Sequence, residues 1–230
     1  MAKPKTKRFY KTAKAAKSDA GWTVLLDGRA LKTPGKLPLI TAAQRHAVLI
    51  ADEWDAQDDI IRPHLMPVTR IYNVALERTP ENRDMLIAEL RKYAGTDLLC
   101  YRAKFPRALN DKQAENWDSW LEWARQYGID LKTGEGVMAV EQDDRALEAA
   151  AKMAAEYDDL ELTLLAHLNA VYGSAILALA VMKRAIGAEA AYDLSRLDFD
   201  FQLEHWGEDE EARELAETTR VEIIALSKLL

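Results

Sequence analysis

The sequence predicts an α+β protein in which a small antiparallel β module at the N-terminus is followed by a larger, all-helical body. Two observations carry this prediction. Short apolar runs bounded by turn residues are confined to the first 40 or so positions, whereas helical periodicity continues from Ala108 to the end. Hydrophobic residues make up 49% and charged residues 30% of the 230 positions, as in a globular protein. We predict a β-rich domain over residues 1–58 and a helical domain over residues 59–230.

The β module is predicted from turn residues between short apolar runs. Phe9–Ala16 is a moderately apolar run, and the next run starts at Gly21 and ends in Asp27-Gly28, a dipeptide typical of tight hairpins. Residues 30–33 form the predicted return strand, which Pro34-Gly35 stops. Lys36–Ile40 is predicted as a further short strand.

The helices that follow are predicted from caps and prolines. Thr41 is the predicted N-cap of the first helix, with Gln44 in the capping-box position. Pro67 opens the second helix, because proline is favoured in the first turn. The remaining helices are predicted over residues 79–93, 110–127, 143–157, 160–182, 188–206 and 208–230. Leu98–Arg102 is predicted as a short strand or turn.

Three tryptophans share one broad face of the helix predicted over residues 110–127. Trp117, Trp120 and Trp123 stand at i, i+3 and i+6. Such a face is most often core, and otherwise forms part of a groove for a partner.

The most apolar stretch, Leu160–Met182, is long enough to raise the question of a membrane span. Polar residues such as Glu161 and Asn169 interrupt it, so we interpret it as one buried helix at the centre of the helical domain. His167 within it is expected to be a hydrogen-bonded core residue. Glu161 is the one carboxylate whose apolar setting is expected to raise its pKa.

The net charge of −7 and the isoelectric point near 5.3 argue against general nucleic-acid binding. The lone cysteine, Cys100, excludes an internal disulfide framework and fits a reducing compartment. No apolar segment of the secretory type follows the basic N-terminus, so we expect a cytoplasmic protein.

Motifs for catalysis, cofactors or metals are not found in the sequence. It holds neither a phosphate-binding glycine loop nor a GxSxG nucleophile elbow, and its four histidines are widely separated. We therefore predict no catalytic, cofactor-binding or metal-binding residues and favour a binding protein. The alternatives are an enzyme with a cleft between the two domains and a scaffold that binds a different partner protein.

The most acidic stretch, Leu197–Leu215, also carries aromatic residues. If it is one helix, Gln202, Trp206 and Glu210 lie at i, i+4 and i+8, in one strip of an amide, an indole and a carboxylate. Such a strip suits the binding of another chain. The alternative is a solvated acidic face on which the tryptophan packs into the core.

Several short strings stand in a fixed order along the chain. They are Arg8–Lys11, Leu26–Arg29, Leu31–Pro34, Glu53–Gln57, Met66–Thr69, Tyr93 with Thr96–Leu99, Trp117 with Trp123–Ala124, Ser174–Ala180, and Ser195–Leu197 followed by Gln202 and Trp206-Gly207. With these strings the chain resembles one family, the assembly chaperone of the F-type ATP synthase that holds the unassembled alpha subunit. The family occurs in mitochondria and α-proteobacteria.

The resemblance implies a non-catalytic, cofactor-free protein that binds free alpha subunit and prevents its aggregation until beta subunits replace it. It implies client contacts at Gln202, Trp206, Gly207 and Glu210. The sequence has Arg213-Glu214 where the family's mitochondrial members have a His-Asp pair, so no role carries over to those positions. A monomer that neither inserts into a membrane nor binds nucleic acid is expected.

Overall fold

The structure, a computed structural model, describes residues 6–136, 138–206 and 210–230, with the backbone alone at positions 205 and 206. It confirms the predicted α+β class. The strands are Ala13–Ser18 (β1), Gly21–Leu26 (β2), Arg29–Ala30 (β3), Tyr101–Arg102 (β4) and Gly134–Glu135 (β5). The helices within the described ranges are Gln44–Asp55 (α1), Pro67–Glu77 (α2), Thr79–Ala94 (α3), Arg107–Arg125 (α4), Asp144–Ala155 (α5), Asp159–Tyr172 (α6), Ala175–Met182 (α7), Ala188–Ser195 (α8), Leu197–Trp206 (α9) and Glu210–Ser227 (α10), with short 3-10 turns at Pro63–Leu65 and Leu98–Cys100.

The predicted Asp-Gly hairpin is present. β1, β2 and β3 form an antiparallel sheet in that order, and Leu26 pairs with Arg29 across a two-residue turn. Asp27 and Gly28 have φ values of 47° and 82°, as a tight turn that matches the twist of the strands requires. The Asp27 carboxylate also accepts hydrogen bonds from the backbone N–H groups of Thr12 and Lys11, which lower its pKa.

Two predictions in the β module are wrong. Lys36–Ile40 is not a strand, since its ladder is reduced to a single bridge between Lys32 and Pro38, and proline has no N–H to extend it. Thr41 is not the N-cap of α1, which begins at Gln44 after Ala43. Thr41 is buried instead, where its backbone exchanges hydrogen bonds of 2.8 and 2.9 Å with Trp22.

The chain forms two compact units. Unit 1 comprises the described residues up to Glu81 together with Leu229, and unit 2 comprises residues 82–228 and Leu230. In unit 1, α1 packs on β1 and β2 around the fully buried Val24 and Ile50. The domain boundary that the sequence predicts after residue 58 stays a prediction.

The stretch Leu160–Met182 is not one helix, as predicted, but two. α6 ends at Gly173, which has a φ of 62°, and α7 starts after Ser174, whose hydroxyl accepts a hydrogen bond from Leu177 N–H at 3.1 Å. α7 is buried along its whole length in unit 2. None of the described helices combines the length and the apolar character needed to cross a membrane.

Trp117 lies at the centre of unit 2 with no exposed surface, and its indole N–H donates to the carbonyl of Leu194 at 3.0 Å. Trp120 and Trp123 are half-buried, with ring centroids 6.4 Å apart. The three tryptophans thus have different environments. Only Trp117 belongs to the fully buried core.

Candidate interaction surface

Three of the four predicted contact residues, Gln202, Trp206 and Glu210, belong to two helices of unit 2. Gln202 is exposed on α9, and Glu210 is exposed as the first residue of α10. Trp206 is the last residue of α9, but its side chain lies outside the described part, as does all of Gly207. The strip of Gln202, Trp206 and Glu210 on one continuous helix therefore stays a prediction.

The helix predicted over residues 188–206 is also divided, at Arg196, into α8 and α9. The Ser195 hydroxyl donates to the Tyr192 carbonyl at 2.7 Å, a bond that competes with helix continuation. The Arg196 guanidinium lies over the Phe199 ring at 4.5 Å from the centroid and contacts the Asp200 carboxylate at 3.2 Å. α9 therefore starts anew at Leu197.

α9 is fixed to α4 by apolar and polar contacts. Leu197 and Phe201 are buried, and the Lys112 ammonium lies 3.8 Å from the Glu204 carboxylate and 5.8 Å from the Phe201 ring centroid. The Gln113 amide donates to the Asp198 carboxylate at 2.7 Å. These contacts place one side of α9 against unit 2 and leave Gln202 in solvent.

A polar cluster around the buried Arg102 lies at this contact, and the sequence does not predict it. Arg102, only 7% exposed, donates to the Asp118 carboxylate at 2.6 Å and lies 5.2 Å from the Trp117 ring centroid. Burial raises the pKa of Asp198, while the Gln113 hydrogen bond and the Arg102 charge act in the opposite direction. The cluster orders α9 and has no sequence signature, because Asp198 lies 85 positions from Gln113, its hydrogen-bond partner.

The second half of α10 is held firmly. Ile223 and Leu226 are fully buried, and Arg220 donates to Glu189 and Asp193 of α8 at 3.0 and 2.5 Å. These hydrogen bonds and charges raise the pKa of Arg220. The Tyr192 hydroxyl donates to the Ala216 carbonyl at 3.2 Å. α10 is therefore positioned by α8.

The first half of α10 exposes apolar surface. The sequence predicts a core stripe along this helix, formed by Ala212, Leu215, Thr219, Ile223, Leu226 and Leu230. It is wrong for Leu215, which is 67% exposed. Leu215 and Leu226 are eleven residues, about three turns, apart, so they share one face. The core stripe thus continues along α10 beyond the residues that the rest of unit 2 buries. The sequence does not show at which residue of α10 this burial ends.

Acidic side chains surround this exposed apolar face. Glu210, Glu211, Glu214 and Glu217 are all exposed. Glu210 accepts a hydrogen bond from Arg213 at 2.5 Å, so Arg213 orients the predicted contact residue. Within the described ranges, no group of three histidines, cysteines or carboxylates is placed to hold a metal ion. An apolar residue among carboxylates is an arrangement for binding a basic or hydrogen-bond-donating partner.

Comparison with known proteins shows which family the chain resembles. A family model described as "ATP12 chaperone protein" matches residues 7–125. The protein named "Protein atp12, mitochondrial" from Schizosaccharomyces pombe is 25% identical over 228 residues, which are 94% of this chain and 78% of the relative.

Two solved structures resemble the whole chain. The crystal structure of Atp12 from Paracoccus denitrificans has a TM-score of 0.87 and 42% identity, covering 97% of this chain and 96% of that one. The protein Atu1473 of Agrobacterium tumefaciens has a TM-score of 0.91 and 39% identity, covering 99% of this chain and 87% of that one. The similarity therefore includes α9 and α10, beyond the range of the family model.

Proposed function

Because the chain belongs to the ATP12 chaperone family, we propose that it is an assembly chaperone for the F-type ATP synthase. In this proposal it binds the free alpha subunit of the catalytic head and prevents its aggregation until beta subunits replace it. The observation that carries the proposal is an acidic, partly apolar surface on α9 and α10 in a chain whose relatives are named chaperones and not enzymes.

The proposed contacts with the alpha subunit are Gln202, Trp206, Gly207 and Glu210, extended along α10 to Leu215. Burying an exposed leucine side chain contributes about 2 kcal/mol, enough to matter in a weak, reversible complex. Exposed ion pairs contribute about 0–1 kcal/mol, so Glu210 can leave Arg213 for an arginine or an unpaired backbone N–H of the client at little cost.

The proposed site of action is the bacterial cytoplasm, and the proposed state is a monomer. A single cysteine, buried in unit 2, supports a reducing compartment. The relative from Schizosaccharomyces pombe is named mitochondrial. An exposed hydrophobic face that an alpha subunit covers suits a one-to-one complex.

The proposal is tested by replacing Glu210 with lysine. Glu210→Lys reverses the charge at the predicted contact, and we expect at least a tenfold loss of alpha-subunit recovery in co-purification. Glu89→Lys is the matched control, because Glu89 is exposed on α3 and both variants raise the net charge by two. Circular dichroism should show both variants folded.

Recovery of the alpha subunit with Glu210→Lys at the wild-type level would argue against the contact. If wild-type protein recovers no alpha subunit from a lysate that contains it, the client assignment itself is wrong.

A further inference from the structure

A cavity of about 280 Å³ lies wholly within unit 1, whereas the surface proposed above belongs to unit 2. It opens between the loop after β3, the end of α1 and the start of α2. Its walls are Leu31, Lys32, Thr33, Pro34, Trp54, Ile61, Pro63, Met66, Thr69, Arg70 and Asn73. Three of the strings by which the sequence resembles its family, Leu31–Pro34, Glu53–Gln57 and Met66–Thr69, meet at this cavity.

Hydrogen bonds link the walls of the cavity to one another and fix their spacing. Glu77 at the end of α2 accepts the backbone N–H of Gly35, and hydrogen bonds with the Thr33 side chain and with this N–H lower the pKa of Glu77. Glu53 accepts Val68 N–H at 2.7 Å and Thr69 N–H at 2.8 Å, which joins the end of α1 to the start of α2.

The end of α1 and the loop that follows it are fixed in the same way. The Gln57 side-chain carbonyl accepts the Arg62 N–H at 2.7 Å, and the Tyr10 hydroxyl donates to the Trp54 carbonyl at 2.6 Å. Because backbone atoms of all three walls are bound, the cavity cannot collapse without breaking these bonds. A ligand therefore meets a preformed site and loses little free energy in ordering it.

Two polar atoms of the cavity-lining residues are buried and have no hydrogen-bond partner among the described residues. They are the indole nitrogen of Trp54, a donor, and the side-chain oxygen of Asn73, an acceptor. An unpaired buried group costs about 1–3 kcal/mol, so a ligand that reaches either atom after a small side-chain rotation removes that cost. A peptide group carries one acceptor and one donor, the reciprocal pair.

The charged side chains that line the cavity are all basic. Lys32 and Arg70 line the cavity, and no carboxylate does, although the chain as a whole has a net charge of −7. Six of the eleven lining residues are apolar, so the expected ligand combines an apolar group with a negative charge.

The cavity volume of about 280 Å³ has room for one amino-acid side chain and lies at the lower limit of small-molecule and cofactor sites, which are commonly ~300–1,000 Å³. We infer that the cavity binds an extended segment of a partner protein, with an apolar side chain inside it and an adjacent acidic residue at Lys32 and Arg70. The inference does not depend on the identity of the client at α9 and α10.

The test uses full-length protein and fluorescein-labelled peptides of the form Gly-Ser-X-Asp-Ser-Gly, in which X is Leu, Ile, Phe or Trp. Fluorescence anisotropy should detect saturable binding of at least one peptide, and the matching peptide with X as Gly should bind at least tenfold more weakly. Lys32→Glu should weaken binding about tenfold. Lys36→Glu is the matched control, since Lys36 is exposed in the same loop but does not line the cavity, and should change binding less than twofold.

A cavity-filling variant provides an independent test. Ile61→Trp should abolish peptide binding while Glu210→Lys leaves it unchanged. Failure of all four peptides to bind would overturn the inference. Binding at the wild-type level by Lys32→Glu or by Ile61→Trp would overturn it too. Tighter binding of 3-phenylpropionate than of any peptide would also overturn it, because the ligand would then be a small carboxylate.

Discussion

Asp97 shows most clearly how one residue's environment sets its chemistry. It is fully buried in unit 2, where its carboxylate accepts hydrogen bonds from Leu99 N–H, Ser174 Oγ–H and Ile176 N–H at 3.0, 2.8 and 3.0 Å. Burial outweighs these bonds and raises its pKa from 3.8 to about 6. The folded state thus holds the proton more tightly than the unfolded state. Stability from that proton is complete below pH 3.8 and is lost as pH rises through 6.

We predict that the unfolding free energy of the wild type falls relative to Asp97→Asn as pH rises from about 4 to 7. The pKa difference between the two states corresponds to about 3 kcal/mol. Urea unfolding of both proteins at stepped pH, followed by far-UV circular dichroism, measures the difference. Asparagine does not titrate, so other ionisable groups cancel in the comparison. A difference that stays constant with pH would contradict the assignment.

The apolar setting that the sequence predicts for Glu161 is wrong. Glu161 is exposed at the start of α6, where it forms a capping box with Asp158. The raised pKa of Asp97 was not predicted, because Ser174 and Ile176, which donate hydrogen bonds to its carboxylate, lie about 80 positions away in sequence. No local pattern contains that information.

Among the elements, the break between α6 and α7 is the largest departure from the sequence prediction. Apolar composition alone favours one long helix over Leu160–Met182. Gly173 adopts a left-handed conformation with a φ of 62°, and Ser174 and Asp97 bind the N–H groups that start α7. The break therefore depends on one glycine and on a carboxylate from another segment.

We predict that Gly173→Ala lowers the unfolding free energy by about 1–2 kcal/mol, because a left-handed conformation is costly for any residue with a Cβ. Apart from Gly173 itself and its two chain neighbours, no residue has an atom within 4 Å of the added carbon, so the effect is conformational and not steric. Gly187→Ala is the matched control: Gly187 has a φ of −72° and equally open space. It should change the unfolding free energy by less than about 0.5 kcal/mol. Equal effects in urea unfolding of the two variants would refute the argument.

At the scale of the whole molecule, the order of the two parts is confirmed, and the boundary that the sequence predicts after residue 58 stays a prediction. The compact unit of the structure extends to Glu81 and includes α2. Glu53 of α1 binds the first N–H groups of α2, and Glu77 of α2 binds the loop after β3. These bonds, rather than composition, tie α2 to the β module.

Native-state hydrogen exchange tests the two boundaries. We predict that amides of Ile50 in α1 and Ile71 in α2 exchange with opening free energies within about 1 kcal/mol of each other, because both belong to one cooperative unit. The amide of Leu165 in α6 provides the reference for unit 2. If Ile71 follows Leu165 and departs from Ile50 by more than that amount, the boundary at residue 58 is the better description.

The sequence by itself determined the fold class, the Asp-Gly hairpin, the start of α2 at Pro67 and the family. These depend on local periodicity, turn conformation and short strings, which interactions between neighbouring residues fix. Only the tertiary structure decided the break at Gly173, the exposure of Leu215, the environment of Asp97 and the cavity beside Trp54. Each depends on which distant segment covers or hydrogen-bonds a residue, and burial and electrostatics are properties of that packing.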